Sequence, residues 1–218
     1  MGLTTDLADR SATELARLVA ARNVSAVEVV EACLARVERD NPVVNAVVTL
    51  NDRALHEARA IDARIARGER AGPLAGLPVG IKDVTPVGGL RTTYGSPLYR
   101  DHVPADDALV VRRLRDAGAV ILGKTNCPEF AAGGNTWNDV FGRTRNPWDP
   151  TRSAGGSTGG GAAGLATGMI ALAEGTDLGG SLRIPASFCG VVGLRPSAGL
   201  VPTYPADWVW DTLQVTGP

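Results

Sequence analysis

The residues with the clearest chemical potential in this sequence are one lysine and two serines. Lys82 directly follows the apolar run Leu77–Ile81, which predicts that its amine is at least partly buried. Ser157 lies among four glycines, and Ser181 follows two more. Burial lowers the pKa of a lysine, and a neutral amine is a base that can activate a serine hydroxyl. These residue types leave acyl transfer by a serine nucleophile open as one hypothesis.

Asp83, the next residue after Lys82, leaves a purely structural interpretation open. A lysine at this place can also extend to the surface or pair with that carboxylate, which would favour the charged amine. The base hypothesis requires the Asp83 carboxylate to point elsewhere. Each glycine-rich loop, taken alone, is equally typical of a tight connection that needs positive φ.

The elements that must carry these loops change in character after Gly68. Two capping boxes, at Ser11–Glu14 and Ser25–Glu28, predict two helices, the second ending near Glu38 before Asn41–Pro42. Residues 1–68 are therefore expected to form a helical preface, in which the valine-rich segment Val43–Leu50 is a strand and Asp52–Gly68 a third helix.

Residues 69–218 alternate short apolar runs with helical patterns and are expected to be the catalytic core segment. This alternation predicts an α/β layered core. The expected strands are Pro78–Ile81, Ala119–Leu122 and Met169–Ala173, and the expected helices are Asp106–Ala117, closed by Gly118, and Gly161–Gly168.

The overall composition excludes several classes of function. The chain has 218 residues, 44% of them hydrophobic, and a net charge of −1, so no broad basic surface indicates nucleic acid. No apolar run reaches the length of a membrane span, and the first ten residues do not resemble a secretory signal. The three cysteines, Cys33, Cys127 and Cys189, are expected to be free thiols in a cytoplasmic protein.

Three short motifs match patterns whose structural context is missing. Gly118–Thr125 fits a P-loop, but its four middle residues are apolar and a helix precedes it. Gly159–Gly164 fits a dinucleotide fingerprint without a preceding strand. Gly155–Gly159 fits a nucleophile elbow, yet the only histidines, His56 and His102, precede Ser157 and are expected at the surface.

Taken together, the segments from about Gly76 to Pro218 closely resemble the amidase signature family. Two separations also fit the family: the first serine is 75 positions after the lysine, and the second serine is 24 positions after the first. The segments that carry the resemblance are Gly80–Asp83, Gly123–Asn126, Pro128–Phe130, Phe141–Thr144, Asn146–Trp148, Gly155–Ser157 and, as the longest, Gly175–Gly190.

The resemblance implies a role for each matching residue. Ser181 would be the nucleophile, Ser157 the proton relay and Lys82 the base, with a cis peptide bond before Ser157. Leu178, Gly179, Gly180 and Ser181 would offer backbone N–H groups as an oxyanion hole. The loops would be braced by Asp177, Arg183 and Thr158, although many members have a second serine at position 158. Neither a metal nor an organic cofactor is expected.

The resemblance also implies the fold and the range of functions. The fold would be α/β, a mixed β-sheet with helices on both faces, and the chain would be the truncated N-terminal portion of one domain. The leading function is hydrolysis of a small aryl or aliphatic carboxamide, with Phe130–Gly134 as a lip of the pocket. The alternatives are the amidase subunit of a glutamine-dependent tRNA amidotransferase and an inactive fragment. A small-molecule amide is the expected partner, nucleic acid and membrane are not, and a homodimer is left open.

Overall fold

Residues 6–206 and 211–218 are described by the computed structural model. Short 3-10 turns lie at Leu7–Asp9, Pro97–Tyr99 and Glu129–Ala131. The helices and strands, in chain order, are α1 (Ala12–Ala20), α2 (Ala26–Val44), β1 (Val47–Leu50), α3 (Ala54–Ala66), β2 (Pro78–Lys82), α4 (Leu109–Asp116), β3 (Val120–Thr125), β4 (Trp137–Asn138), β5 (Gly142–Arg143), α5 (Gly159–Ala166), β6 (Leu172–Asp177), α6 (Arg183–Cys189) and β7 (Val215–Gly217).

A mixed five-stranded sheet forms the centre of the fold, in the order β1-β3-β2-β6-β7. Strand β2 is parallel to both of its neighbours, whereas β1 and β7 pair antiparallel at the two edges. All five residues of β2 are buried, as is usual for a central parallel strand covered on both faces. The short strands β4 and β5 form a separate hairpin.

Helices pack on both faces of this sheet, as the resemblance implied. Val120 and Leu122 of β3 point into a large apolar cluster with residues of α1, α2, α3 and α5. Ile121, between them, points to the opposite face, where it packs with Val79 of β2 and Val111 of α4. This alternation follows from the two-residue period of a strand. The N-terminal helices and the glycine-rich part of the chain therefore share one sheet and one core.

The glycines of α5 allow this helix to lie directly against the sheet. A Cβ atom on Gly160 would stand 2.3 Å from the backbone nitrogen of Asn126 and 2.7 Å from the carbonyl oxygen of Ala46. Two glycines of the dinucleotide-like pattern are also closely packed: a Cβ atom on Gly159 would stand 2.3 Å from the Thr136 hydroxyl oxygen, and one on Gly164 would stand 3.1 Å from Cδ1 of Ile170. The P-loop-like segment ends in the buried strand β3, as the sequence indicated, so its amide groups bond neighbouring strands.

The end of α2 differs from the sequence prediction. The helix continues to Val44, with Pro42 inside its last turn, instead of ending near Glu38. Proline lacks an N–H group and so removes one helical hydrogen bond, and this loss is small in a final turn. Asn45 then ends the helix in the left-handed conformation and donates its N–H to the Asn41 carbonyl.

Strand β6 begins later than predicted. The sequence predicted a strand at Met169–Ala173 because these residues are apolar. In the structure, Met169 and Ile170 are buried in the connection before the strand. The strand itself runs on into polar residues, Glu174, Thr176 and Asp177, which are buried because each has hydrogen-bond partners. Apolar periodicity alone could not locate such a strand.

The cysteines, the membrane-span prediction and three of the helices agree more closely with what the sequence predicted. The three cysteines are free, as predicted, and all three are buried. In the described part of the chain, no helix combines the length and the apolar character needed to cross a bilayer. Predicted helices α3, α4 and α5 occur with ends shifted by one to three residues, a usual uncertainty of helix boundaries.

Candidate active site

Lys82 is the last residue of β2, and its side chain is fully buried. Its Nζ atom lies 2.7 Å from the Ser157 hydroxyl oxygen and 2.8 Å from the Thr176 hydroxyl oxygen. Both partners are neutral hydroxyls that can donate or accept. If the amine donates to Thr176, its lone pair is available to the Ser157 proton.

Burial sets the protonation of this amine. Desolvation lowers the pKa of Lys82 to about 8, against opposing contributions from Cys127, Glu174 and Asp177. The neutral form is therefore far more populated near neutral pH than in an exposed lysine. A base of this kind suits proton abstraction from a serine.

The Asp83 carboxylate points away from the Lys82 amine, which is the condition that the base hypothesis required. Its Oδ1 and Oδ2 atoms both accept from the Thr93 N–H at 3.2 Å, and Oδ2 also accepts from the Thr93 hydroxyl. Desolvation raises the pKa of Asp83, and the charge of Lys124 and the Thr93 hydrogen bonds offset this only in part.

Ser157 lies in the glycine-rich segment 155–160, two residues before the start of α5. The Gly156–Ser157 peptide bond is cis, as the resemblance implied. A Cβ atom on Gly156 would lie 2.8 Å from the backbone nitrogen of Asn135, so only glycine fits there. The side chain of Ser157 is 1% exposed and faces the Lys82 amine.

Ser181 is in the connection between β6 and α6 and lies beside the Ser157 loop. The Thr158 N–H donates to the Ser181 carbonyl at 3.1 Å, and the Thr158 hydroxyl donates to the Thr176 carbonyl at 3.4 Å. Thr158 thus links the loop of Ser157 to the strand and loop that carry Ser181. The Ser181 hydroxyl bonds none of the described residues, the Ser157 hydroxyl included.

The backbone around Ser181 is shaped by Asp177. Its carboxylate accepts from the Gly180 N–H at 2.8 Å and from the Leu182 N–H at 3.1 Å. The Gly180 N–H, expected in an oxyanion hole, is therefore engaged by Asp177 in this structure. The backbone N–H groups of Leu178, Gly179 and Ser181 bond no acceptor in residues 6–206 and 211–218.

Two arginines hold the Asp177 carboxylate in place. Arg183 pairs with it at 3.0 Å and Arg195 at 3.1 Å. Burial acts to raise the pKa of Asp177, but the hydrogen bonds from Arg183 and from the loop N–H groups outweigh it and keep the pKa well below its usual range. Arg195, which also bonds the Leu213 carbonyl, was missed by the sequence reasoning.

Sequence reasoning also missed several buried polar residues behind the site. Thr176 lies within the matching segment Gly175–Gly190, but nothing in the sequence indicated that its hydroxyl would bond the Lys82 amine. Glu174 and Lys124 are almost completely buried, on β6 and β3. The available signal was a charged residue inside an otherwise apolar strand pattern. Neither histidine is in the site: His56 and His102 are both exposed, as predicted.

Comparison with known proteins now identifies the family. The family model described as Amidase matches residues 28–218. The chain belongs to the amidase signature family. A curated relative, one subunit of the glutamyl-tRNA(Gln) amidotransferase of Acidothermus cellulolyticus, is 50% identical over 98% of this chain.

Solved structures of the family give the same result. A bacterial aryl acylamidase superposes with a TM-score of 0.89 at 35% identity over 95% of this chain. A 6-aminohexanoate cyclic dimer hydrolase superposes with a TM-score of 0.87 at 36% identity over 98% of it. The chain spans 42% of the curated relative and 44% of each of these two structures. It therefore corresponds to less than half of such proteins.

Proposed function

We propose that this protein is an amidohydrolase in which Ser181 attacks a carboxamide, Ser157 relays the proton and Lys82 is the base. The observation that carries the proposal is the buried Lys82 amine, 2.7 Å from the Ser157 hydroxyl and turned away from Asp83. A second hydroxyl, that of Thr176, fixes the amine from the other side.

The proposed cycle begins with neutral Lys82. The Ser157 proton moves to the amine as the Ser181 proton moves to Ser157, and the Ser181 oxygen bonds the carbonyl carbon. The proton then returns through Ser157 to the leaving nitrogen, and the C–N bond breaks to release ammonia or an amine. Water attacks the acyl-enzyme by the same route and releases the acid. General-base steps of this kind contribute about 10²–10⁴-fold in rate.

We propose that the oxyanion is held by the free N–H groups of Leu178, Gly179 and Ser181. Asp177 supports this arrangement because its bonds to the Gly180 and Leu182 N–H groups fix the turn between them. One donor of this kind is typically worth about 2.7–4 kcal/mol of transition-state stabilisation.

The substrate is proposed to be a small carboxamide. A cleft of about 330 Å³ is lined by Thr176, Phe130 and Ala131 but by none of the three triad residues, so it adjoins the site through Thr176 and includes two residues of the expected lip. The names of two structural neighbours, an aryl acylamidase and a cyclic dimer hydrolase, describe amide substrates. No metal or organic cofactor is required by this cycle.

A serine-reactive fluorophosphonate probe tests the proposal directly. We expect labelling of the wild-type chain, and loss of labelling in Ser181→Ala, Ser157→Ala and Lys82→Ala. Ser187→Ala is the matched control, because Ser187 is exposed on α6 and outside the site. No labelling of well-folded wild-type protein would refute an assembled site and favour an inactive fragment.

A second candidate function is the amidase subunit of a tRNA amidotransferase. It is favoured by the curated relatives, two of which are 50% and 47% identical and are named as the corresponding component of a glutamyl-tRNA(Gln) amidotransferase. Such a protein would hydrolyse glutamine and act with partner subunits. Glutamine compared with benzamide as substrate separates the two candidates, because a general amidase should favour the simple aryl amide.

A further inference from the structure

Glu174 is a buried carboxylate beside the proposed triad that has no part in the cycle above. It lies on β6 next to Ile81 of β2 and is 4% exposed. Its Oε2 atom accepts the backbone N–H of Lys82 at 3.2 Å, and its Oε1 atom accepts the hydroxyl of Thr85 at 2.9 Å. One carboxylate thus bonds the last residue of β2 and the turn that follows it.

This turn is the place where the chain leaves the sheet at Lys82. The Thr85 N–H donates to the Lys82 carbonyl at 2.9 Å, which closes the turn. From the opposite side, the Lys124 amine of β3 donates to the Thr85 carbonyl and, at 3.1 Å, to the Thr92 hydroxyl. The turn is therefore fixed from β6 by Glu174 and from β3 by Lys124.

We infer that Glu174 is a positioning residue, whose carboxylate sets the direction in which Lys82 leaves β2 and so points its amine at Ser157. The inference rests on the proposed function, because it assigns Glu174 to the same base. It gives this buried carboxylate a structural reason: without it, the Lys82 N–H and the Thr85 hydroxyl would lack their acceptor in the interior.

The charges around Glu174 predict a second, separable effect. Lys82 of β2 and Lys124 of β3 face it, while Asp177, further along β6, and Cys127 and Asp83 also act on these lysines. Burial raises the pKa of Glu174 itself, and in its ionised form the carboxylate raises the pKa of Lys82 against desolvation. Its removal should move the acid limb of the rate profile to lower pH.

Two substitutions at position 174 separate geometry from charge. In Glu174→Gln the amide oxygen can accept from the Lys82 N–H while the amide nitrogen donates to the Thr85 hydroxyl, so the turn is kept. In Glu174→Ala both contacts are lost. We expect Glu174→Ala to reduce the fluorophosphonate labelling rate about tenfold to a hundredfold, as for a misplaced catalytic group. Glu174→Gln should recover most of that rate and shift the acid limb to lower pH.

Thr85 provides a milder pair should Glu174→Ala fail to fold. Thr85→Val keeps the volume and removes the hydroxyl, whereas Thr85→Ser keeps the hydroxyl. We expect a severalfold slower labelling rate in Thr85→Val and a nearly unchanged rate in Thr85→Ser. Glu31→Gln, on the exposed side of α2, is the control for loss of a carboxylate elsewhere.

The outcomes distinguish this inference from the proposed function. If Glu174→Ala and Thr85→Val are folded by circular dichroism and are labelled as fast as the wild type, the positioning role is overturned. The proposed triad is not affected by that result. A labelling rate lowered equally in Glu174→Gln and Glu174→Ala overturns it as well. Absence of wild-type labelling refutes the proposed function itself.

Discussion

At the scale of single residues, burial of Lys82 favours its function as a base but lowers the stability of the fold. A pKa lowered from 10.5 to about 8 means that burying the amine costs about 3 kcal/mol at neutral pH. We therefore predict that Lys82→Met abolishes fluorophosphonate labelling and raises the free energy of unfolding by about 1–2 kcal/mol at pH 7, less than the full cost because two hydroxyls lose their partner. Urea denaturation measures this, and lower stability of the variant would contradict it.

The same pKa predicts how wild-type stability depends on pH. Above pH 8 the folded protein has released the Lys82 proton, while the unfolded chain retains it up to about pH 10.5. For Lys82 the unfolded state therefore binds more protons in this interval, so the contribution of this residue to stability should rise with pH from about 8 to 10.5. Lys124, whose pKa burial also lowers to about 8, adds to the slope. The buried cysteines act in the opposite direction, because burial raises the pKa of Cys189 to about 11 and those of Cys33 and Cys127 to about 12. Denaturation curves of the wild type and Lys82→Met at pH 7, 8.5 and 10 test this, because the difference between the two proteins isolates Lys82. The excess stability of the variant at pH 7 should shrink as the pH rises, and a constant difference would contradict the prediction.

Activity should follow the neutral amine as well. With a pKa of about 8, only about a tenth of Lys82 is neutral at pH 7, and nearly all of it at pH 9. We predict that the labelling rate rises through a midpoint near pH 8, after correction for hydrolysis of the probe in buffer. A flat profile between pH 6.5 and 9 would show that another group limits the reaction.

At the scale of elements, the packing of α5 governs the position of Ser157. Gly160→Ala would push a methyl group against the backbone of Asn126, at 2.3 Å, and displace the first turn of α5. We predict a loss of about 1–3 kcal/mol in unfolding free energy, together with slower labelling of Ser181. Gly134→Ala is the matched control, because a Cβ atom there meets open space. Equal stability of the two variants would contradict the packing argument.

The sequence predicted the elements unevenly, and the reason is physical. Capping at Ser25 and the apolar run of β2 are local signals, and both were confirmed. The course of β6 depends on partners far along the chain, since Glu174 and Thr176 are buried only because Lys82 and Thr85 lie opposite. For the same reason, the capture of the Gly180 N–H by Asp177 required coordinates.

At the scale of the whole molecule, apolar side chains remain exposed toward the C-terminal end of the chain. Phe188, Val192 and Leu200 are 51%, 89% and 70% exposed. Exposed apolar surface promotes association, so we predict that the chain self-associates at high concentration and that the pair Val192→Asp and Leu200→Asp reduces this. Sedimentation velocity measures the change. Leu98→Asp, 85% exposed elsewhere, is the control and should have little effect.

The order of strands in the sheet has a consequence for the route by which the chain folds. Strand β2 pairs with β3, which begins 38 residues beyond the end of β2, and with β6, some 90 residues beyond it. Contacts between such distant segments slow folding, because the intervening chain loses much of its freedom before they form. During synthesis Lys82 is hydrated and charged until the segments that form β3 and β6 have been made. The amine therefore loses its water, and with it the preference for the protonated form, only after β3 and β6 have paired with β2.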